Sequence, residues 1–225
     1  MAEKINILYE DNHLLVVEKP VNLLSQADNT EEEDLVSRLK NFIKVRDQKP
    51  GNVFIGLVHR LDRPVGGIMV FAKTSKAASR LSNSIRIHEV QKHYLAILDS
   101  ASLPKERILE DYLVKDSKQN RVFVTNSTQG KLARLSYRVL SQRKNLSLVH
   151  IELETGRPHQ IRVQFSSRGW PLLNDQRYHP HPKKEQICLF AYELSFPHPT
   201  TKEILSFRLF PRPTGDWAIF QKELL

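Results

Sequence analysis

Residues 53–72 read VFIGLVHRLDRPVGGIMVFA and set a charged cluster between two apolar runs. Both runs are rich in β-branched and aromatic residues, which is typical of buried strands. Pro64 fixes its own φ, and the pair at 66–67, both glycines, allows backbone angles closed to other residues. The stretch therefore predicts two strands joined by a turn of definite shape, with Asp62 in the connection.

Asp62 stands between Arg60 and Arg63 in this cluster. A nearby opposite charge favours the ionised form of a carboxylate, and an ionised Asp held in place can act as a nucleophile. The alternative is a surface cluster that closes the hairpin and does no chemistry, and the stretch taken alone favours that alternative. A protein-kinase catalytic loop is excluded, because the chain contains no Asp-Phe-Gly and no Gly-rich loop precedes the cluster.

The composition is that of an ordinary globular protein with a basic surplus. The chain has 225 residues, of which 40% are hydrophobic. It has no apolar stretch long enough to span a bilayer and no signal peptide at its start, so a cytoplasmic protein is expected. Lys and Arg number 34 against 25 Asp and Glu, a formal charge of +9. This surplus favours a polyanionic partner, although it would also suit a protein that is merely soluble.

Hydrophobic periodicity predicts helices and strands around the cluster. A helix is expected over residues 31–46, with Thr30 and Glu33 spaced as a capping box at its start. A second helix is expected over 74–88. Two strands are predicted within 5–17, with a turn at 11–12, and further strands at 94–98 and 146–154. A hairpin is predicted within 100–130, and a pair of strands within 189–210. No repeat or low-complexity linker divides the chain, so a single domain over 1–225 is the simplest division.

Four other segments accompany the cluster: ILYED at 7–11, LLVVEKP at 14–20, KHYLA at 92–96 and TGRPHQIRV at 155–163. Together with residues 59–73 they resemble, in the same order, the characteristic segments of the RluA-like pseudouridine synthases. The resemblance covers most of the chain. It implies a mixed α/β (α+β) fold, with a central, largely antiparallel sheet and flanking helices, as in the pseudouridine synthase catalytic fold.

The resemblance also implies an activity. Members of the family isomerise specific uridines in ribosomal or transfer RNA to pseudouridine, acting on a flipped-out base with no cofactor and no metal. We therefore expect RNA as the partner, no membrane and no nucleotide cofactor, and a monomer without a separate N-terminal RNA-binding domain. The competing hypothesis is a non-catalytic RNA-binding protein that keeps the fold. A nucleoside glycosidase is a further alternative, but the sequence lacks the second carboxylate that such enzymes usually place opposite the first.

Catalytic roles follow from the resemblance for Asp62, Tyr94 and Arg162. In the family the Asp attacks the sugar or the base, or stabilises a glycal-forming step, and these alternatives stay open here. Tyr94 matches the tyrosine that stacks on the target uracil, and Arg162 matches the arginine that contacts the catalytic Asp. Arg60 matches the position whose side chain fills the space of the extruded base. Further RNA contacts are expected from His59, Arg63, Arg157 and His159.

The residues alone leave the roles of Arg162 and Tyr94 open. Gln160, Arg162 and Gln164 alternate with Ile161 and Val163, which predicts a strand whose guanidinium projects away from the apolar pair. An orienting arginine and a plain exposed strand residue fit this pattern equally well. Without the resemblance, Tyr94 would be interpreted as a core tyrosine.

Several positions depart from the family pattern or invite another function. Val65 and Pro158 stand where the family usually has hydroxyl residues, and Asn22 stands where it usually has Gly. Asn is the residue that next best tolerates a positive φ. His179 and His181 are each followed by Pro, with no Cys or carboxylate at ligand spacing, so an exposed loop is expected rather than a metal site. The lone cysteine, Cys188, is expected to be a small buried hydrophobic residue.

Overall fold

The computed structural model describes residues 5–28 and 30–224. The strands are β1 Ile7–Glu10, β2 Leu14–Lys19, β3 Gly56–Leu57, β4 Gly66–Ala72, β5 Gln91–Leu98, β6 Glu106–Asp116, β7 Arg121–Thr125, β8 Lys131–Arg143, β9 Leu146–Leu153, β10 Leu189–Pro197 and β11 Ile204–Arg208. The helices are α1 Leu35–Arg46, α2 Ser75–Arg86 and α3 Gln160–Ser166, and a 3-10 segment covers Gly215–Glu223. Within the described ranges, no helix is long and apolar enough to span a membrane.

The chain divides into two compact units. One comprises Met1–Val90 and Glu193–Leu209, and the other comprises Gln91–Tyr192 and Phe210–Leu225. The pairs β1–β2, β2–β4, β3–β4 and β10–β11 are antiparallel, as are β5–β9, β6–β7, β6–β8 and β8–β9, and helices accompany the strands in both units. The predicted mixed α+β fold with a largely antiparallel arrangement is thus confirmed.

The first unit is built on β2 and β4, which pair from Leu14↔Ala72 to Lys19↔Gly67. All seven residues of β4 are buried, as a continuous apolar run requires. Helix α2 packs Ala77 and Leu81 against this sheet. The short strand β3 pairs with the far end of β4, so the predicted hairpin around the charged cluster is confirmed. The first strand of this hairpin, β3, is shorter than expected: Phe54 lies outside it and is 48% exposed.

Helix α1 begins later than the sequence predicted. Its N-cap is Asp34, whose carboxylate accepts a hydrogen bond from the backbone N–H of Ser37 at 3.1 Å. The predicted capping box of Thr30 and Glu33 is therefore not formed, and that prediction is wrong. Asp34 forms a parallel bridge with Leu24, which keeps its backbone extended and prevents an earlier helical start. The second helix, in contrast, lies within its predicted range and is capped by Thr74.

The second unit contains a sheet in the order β5-β9-β8-β6-β7. Tyr94 pairs with Ile151, and Ile151 pairs with Tyr137, so these three side chains share one face of the sheet. Helix α3 packs on the same face, because the ring of Phe165 lies 5.1 Å from that of Tyr137. Val163 of the same helix belongs to a buried cluster with side chains of β6, β7 and β8. The sheet therefore carries Tyr94 and α3 on one side.

Candidate active site

Asp62 lies in the connection between β3 and β4, in the first unit. The backbone N–H of Val65 donates to the carbonyl of Asp62 at 2.9 Å and closes the turn that contains Pro64. Gly67 then enters β4 with φ at +126°, a conformation that strongly favours glycine. Asp62 remains partly exposed, so its side chain is not sealed within the protein.

The backbone on both sides of Asp62 is held by buried side chains. The hydroxyl of Ser25 donates to the carbonyl of Leu61 at 2.8 Å and accepts from the N–H of the same residue at 3.2 Å. The ammonium of Lys19 donates to the carbonyl of Arg63 at 3.0 Å. Hydrogen bonds therefore fix the peptide groups at three successive residues, 61, 62 and 63.

Lys19 is an unusual component of this site because it is completely buried. Burial lowers the pKa of Lys19 to about 7; the negative charge of Asp62 opposes this shift and the positive charge of Arg63 adds to it. Two backbone carbonyls, those of Pro20 and Arg63, accept hydrogen bonds from the ammonium group. A buried cation with such partners ties the end of β2 to the loop that holds Asp62.

The other charged residues of the cluster have different surroundings. The guanidinium of Arg63 donates to the carboxylate of Glu32 at 2.9 Å, a partner that the sequence did not predict. The ring Nε2 of His59 accepts a hydrogen bond from the N–H of Val70 at 3.1 Å and thereby binds the loop to β4. Arg60 is exposed. The RNA contacts expected from these three residues stay predictions.

The family departure at Asn22 is accommodated as expected. Asn22 has φ at +61°, the left-handed region in which Asn is tolerated best after Gly. Its carbonyl lies 3.4 Å from the Nε of Arg63, which donates to it.

Tyr94 belongs to the second unit and lies in β5, as predicted. It is only 7% exposed, and its strand partner is Ile151. The sheet face that it shares with Tyr137 is the face on which α3 packs. The stacking role on uracil stays a prediction.

Arg162 lies on helix α3, and the predicted strand over residues 160–164 is wrong. Gln160 through Phe165 are all buried, so this short helix has no exposed face that could reveal a 3.6-residue period. His159, the N-cap, adopts the left-handed region with φ at +51°. The side chain of Gln160 also fixes the preceding loop, since its Oε1 accepts from the N–H of Arg157 at 3.0 Å and from the hydroxyl of Thr155 at 2.8 Å.

The guanidinium of Arg162 pairs with Asp175. Nε lies 2.9 Å from Oδ2 and Nη2 lies 2.7 Å from Oδ1, a side-on geometry with two parallel hydrogen bonds. Arg162 is only 5% exposed, so the alternative of a plain exposed strand residue is wrong. Burial alone would raise the pKa of Asp175, but Arg162 and the backbone N–H groups of Arg177 and Tyr178 bring it below its usual value.

The ring of Tyr178 contacts the same guanidinium. Its ring centroid lies 5.3 Å from the Cζ of Arg162, within the range of a cation–π contact. Its hydroxyl accepts from the N–H of Val122 at 2.8 Å and lies 2.8 Å from the Nδ1 of His159. Burial raises the pKa of Tyr178. Tyr178 therefore connects β7, the start of α3 and the arginine.

Sequence reasoning missed Asp175 and Tyr178 as site residues. Their only sequence signal is their position shortly after the segment 155–163, since a polar residue in an irregular segment reveals no partner. The structure brings His159 and Arg162 together around Tyr178. It directs Arg157 elsewhere, because the Nε of that residue donates to the carbonyl of Leu132 at 2.8 Å.

The remaining candidates serve other contacts. His179 lies 3.0 Å from the carboxylate of Asp99 and is packed, whereas His181 is exposed. In the part of the chain that the structure describes, no group of three or more His, Cys, Asp or Glu side chains is arranged to hold a metal ion. Cys188 is buried as expected, and burial raises the pKa of its thiol.

Comparisons with known proteins support the family resemblance seen in the sequence. A family model described as RNA pseudouridylate synthase matches residues 13–167. Ribosomal large subunit pseudouridine synthase D of Nitrosomonas europaea is 34% identical over 231 residues, and the match covers 98% of this chain and 65% of that protein. Dual-specificity RNA pseudouridine synthase RluA of Haemophilus influenzae is 34% identical over 215 residues, with 90% of this chain and 91% of that protein covered.

A solved structure supports the fold. Human RNA Pseudouridylate Synthase Domain Containing 4 superposes with a TM-score of 0.78 at 23% identity, and the match covers 92% of this chain and 89% of that chain. The chain belongs to the RNA pseudouridylate synthase family, and its curated relatives are of the RluA and RluD type. The resemblance found in the sequence is thereby confirmed. The chain spans about two thirds of the length of several of these relatives, 65% for the Nitrosomonas protein.

Proposed function

We propose that this protein is an RNA pseudouridine synthase that isomerises specific uridines in ribosomal or transfer RNA, in the cytoplasm and as a monomer. Family membership supports the reaction, and the name of the Nitrosomonas relative supports ribosomal RNA; transfer RNA is included because the resemblance implies it. The observation that carries the proposal is the loop of Asp62. Asp62 is a partly exposed residue in a segment whose backbone is held by hydrogen bonds at three successive residues.

The reaction needs a carboxylate and no external reagent. The bond between uracil N1 and ribose C1′ breaks, the base turns, and a bond forms between C5 and C1′. A proton leaves C5 and a proton is gained at N1, so the product is an isomer and no electrons are exchanged with another molecule. One well-placed acidic side chain and groups that move protons are sufficient for such chemistry.

We assign the roles of the three catalytic residues by family resemblance. Asp62 reacts with the uridine, and its fixed backbone restricts where the carboxylate can lie, so that less ordering remains for the reaction step. Tyr94 stacks on the uracil ring, a contact worth about 1–3 kcal/mol for a base on an aromatic side chain. Arg162 supplies a guanidinium whose orientation is fixed by Asp175 and Tyr178.

The substrate uridine must leave its stack before it reaches Asp62. Flipping a base costs a few kcal/mol, and a planar side chain that fills the gap offsets part of this cost. We propose that exposed Arg60 is that side chain. His59, Arg63, Arg157 and His159 are the further RNA contacts that we propose, and the surplus of +9 suits a salt-dependent interaction with phosphates.

Release of tritium from RNA labelled at uracil C5 tests the proposal. Unmodified ribosomal RNA and transfer RNA are supplied separately, so that the assay also assigns the substrate class. Wild-type protein should release tritium from at least one RNA, and Asp62→Ala should release none. Asp47→Asn is the matched control, because Asp47 is a carboxylate at the end of α1 that pairs with Arg46. It should match wild type.

The outcomes separate the competing functions. Equal signals from wild type and Asp62→Ala would remove the catalytic claim. RNA binding without any tritium release would indicate a non-catalytic RNA-binding protein. Free uracil among the products would indicate a nucleoside glycosidase instead.

A further inference from the structure

Ser25 is a buried polar residue in the segment between β2 and α1. Its hydroxyl makes two hydrogen bonds to one residue, Leu61, which directly precedes Asp62. The hydroxyl donates a hydrogen bond to the carbonyl of Leu61 at 2.8 Å, and its oxygen accepts one from the N–H of Leu61 at 3.2 Å. A single serine therefore satisfies both polar groups of that residue.

These bonds lie where no regular strand could provide them. Residues 58–65 connect β3 to β4 and have no ladder partners, so their backbone groups need side chains or turns as partners. Ser25 acts on the N-terminal side of Asp62, and the turn closed by Val65 acts on the C-terminal side. Without the hydroxyl, the backbone of Leu61 would lose both of these bonds at once.

The backbone of the preceding residue, Leu24, holds Ser25 in place. Leu24 forms a bridge with Asp34, and its carbonyl accepts from the N–H of Leu35 at 2.8 Å. The start of helix α1 therefore fixes the segment that carries the serine. The Oγ of Ser25 also lies 3.7 Å from the sulfur of Met69 in β4, so little room remains around it.

We propose that Ser25 is a positioning residue for Asp62, acting through the backbone of Leu61. This inference rests on the proposed function, since it explains how the catalytic carboxylate of that reaction is kept in place. Ser25 does not touch the RNA. Its hydroxyl sets the direction in which the chain enters Asp62, and a small displacement of a reacting group can lower a rate by about 100-fold.

The test uses Ser25→Ala and Ser25→Cys in the full chain. Alanine removes the hydroxyl, and cysteine keeps a group of similar size that hydrogen-bonds weakly. Ser84→Ala is the matched control, because Ser84 is also a buried serine of the first unit and donates to Glu89 at 2.7 Å, away from the Asp62 loop. For each protein we would measure the melting temperature, the affinity for RNA, and the single-turnover rate of tritium release at saturating RNA.

Both Ser25 variants should lower the single-turnover rate about 10- to 100-fold while RNA affinity stays within about twofold of wild type. Ser84→Ala should keep the wild-type rate at a temperature where all the proteins are folded. The proposal is overturned if either Ser25 variant keeps the wild-type rate, if RNA affinity alone changes, or if Ser84→Ala loses as much rate as Ser25→Ala. Absence of tritium release from wild type would contradict the proposed function itself, which separates the two failures.

Discussion

Arg162 and Asp175 form a buried, side-on ion pair, with Nε and Nη2 of the guanidinium 2.9 and 2.7 Å from the two carboxylate oxygens. Both residues are nearly inaccessible to solvent, and removing one partner of such a buried pair is costly because it leaves the other charge without compensation. The Oδ1 of Asp175 also accepts from the backbone N–H groups of Arg177 and Tyr178, which hold the carboxylate in place. The pair thus fixes a guanidinium that the helix alone would leave free to rotate.

Asp175→Asn is expected to destabilise the protein strongly. The amide keeps the shape of the carboxylate but leaves the buried charge of Arg162 without its counter-charge, which costs about 3–5 kcal/mol in comparable buried pairs. Urea unfolding followed by circular dichroism measures the change. Glu193→Gln is the control, because Glu193 pairs with the largely exposed Arg208, and such pairs contribute about 1 kcal/mol or less. Equal losses for the two variants would contradict the structural role of Asp175.

Tyr178→Phe separates the ring from its hydroxyl. Phenylalanine keeps the contact with Arg162 but leaves the N–H of Val122 and the Nδ1 of His159 without the phenol oxygen. We expect a loss of about 1–3 kcal/mol in the free energy of unfolding, the cost of an unsatisfied buried group. Tyr178→Leu should lose more, since it also removes the ring. A leucine variant as stable as the phenylalanine variant would indicate that the cation–π contact contributes nothing.

The sequence predicted the strands of the first unit better than the helix within residues 155–166, for a physical reason. β4 begins with Gly66 and Gly67 and continues as an uninterrupted apolar run, so its character follows from composition alone. Asp62 could be placed between strands because the charged cluster interrupts two such runs. The bonds from Lys19 to Arg63 and from Ser25 to Leu61 could not be predicted, since they join residues more than 30 positions apart through backbone carbonyls that carry no sequence signal.

Arg162 shows where periodicity fails. Alternation over five residues cannot distinguish a strand from a one- or two-turn helix when every side chain is buried, and α3 is only seven residues long. The resemblance nonetheless singled out the residue. It did not supply Asp175 or Tyr178, which approach Arg162 from a segment without regular secondary structure.

Asp34→Ala tests the corrected start of α1. Removing an N-cap side chain costs about 1 kcal/mol of stability. We expect that loss for Asp34→Ala in urea unfolding, because the carboxylate accepts from the N–H of Ser37. Thr30→Ala is the matched control, since Thr30 bonds to Asp28 and lies outside the helix. A larger loss for Thr30→Ala than for Asp34→Ala would favour the capping box that the sequence first indicated.

The buried ammonium of Lys19 should make stability depend on pH in a characteristic direction. Its pKa is lowered from 10.5 to about 7, chiefly by burial, so above pH 7 the folded protein releases a proton that the unfolded chain keeps. Stability therefore rises with pH from about 7 towards 10.5, by about 2 kcal/mol between pH 7 and 9. Lys19→Met, which cannot titrate, should lack this rise, and urea unfolding of both proteins at pH 7, 8 and 9 measures the difference. Lys92, whose pKa burial also lowers, is present in both proteins and cancels in the comparison. Parallel pH profiles for the two proteins would mean that Lys19 keeps an ordinary pKa and that its ammonium is charged in the folded state throughout this range.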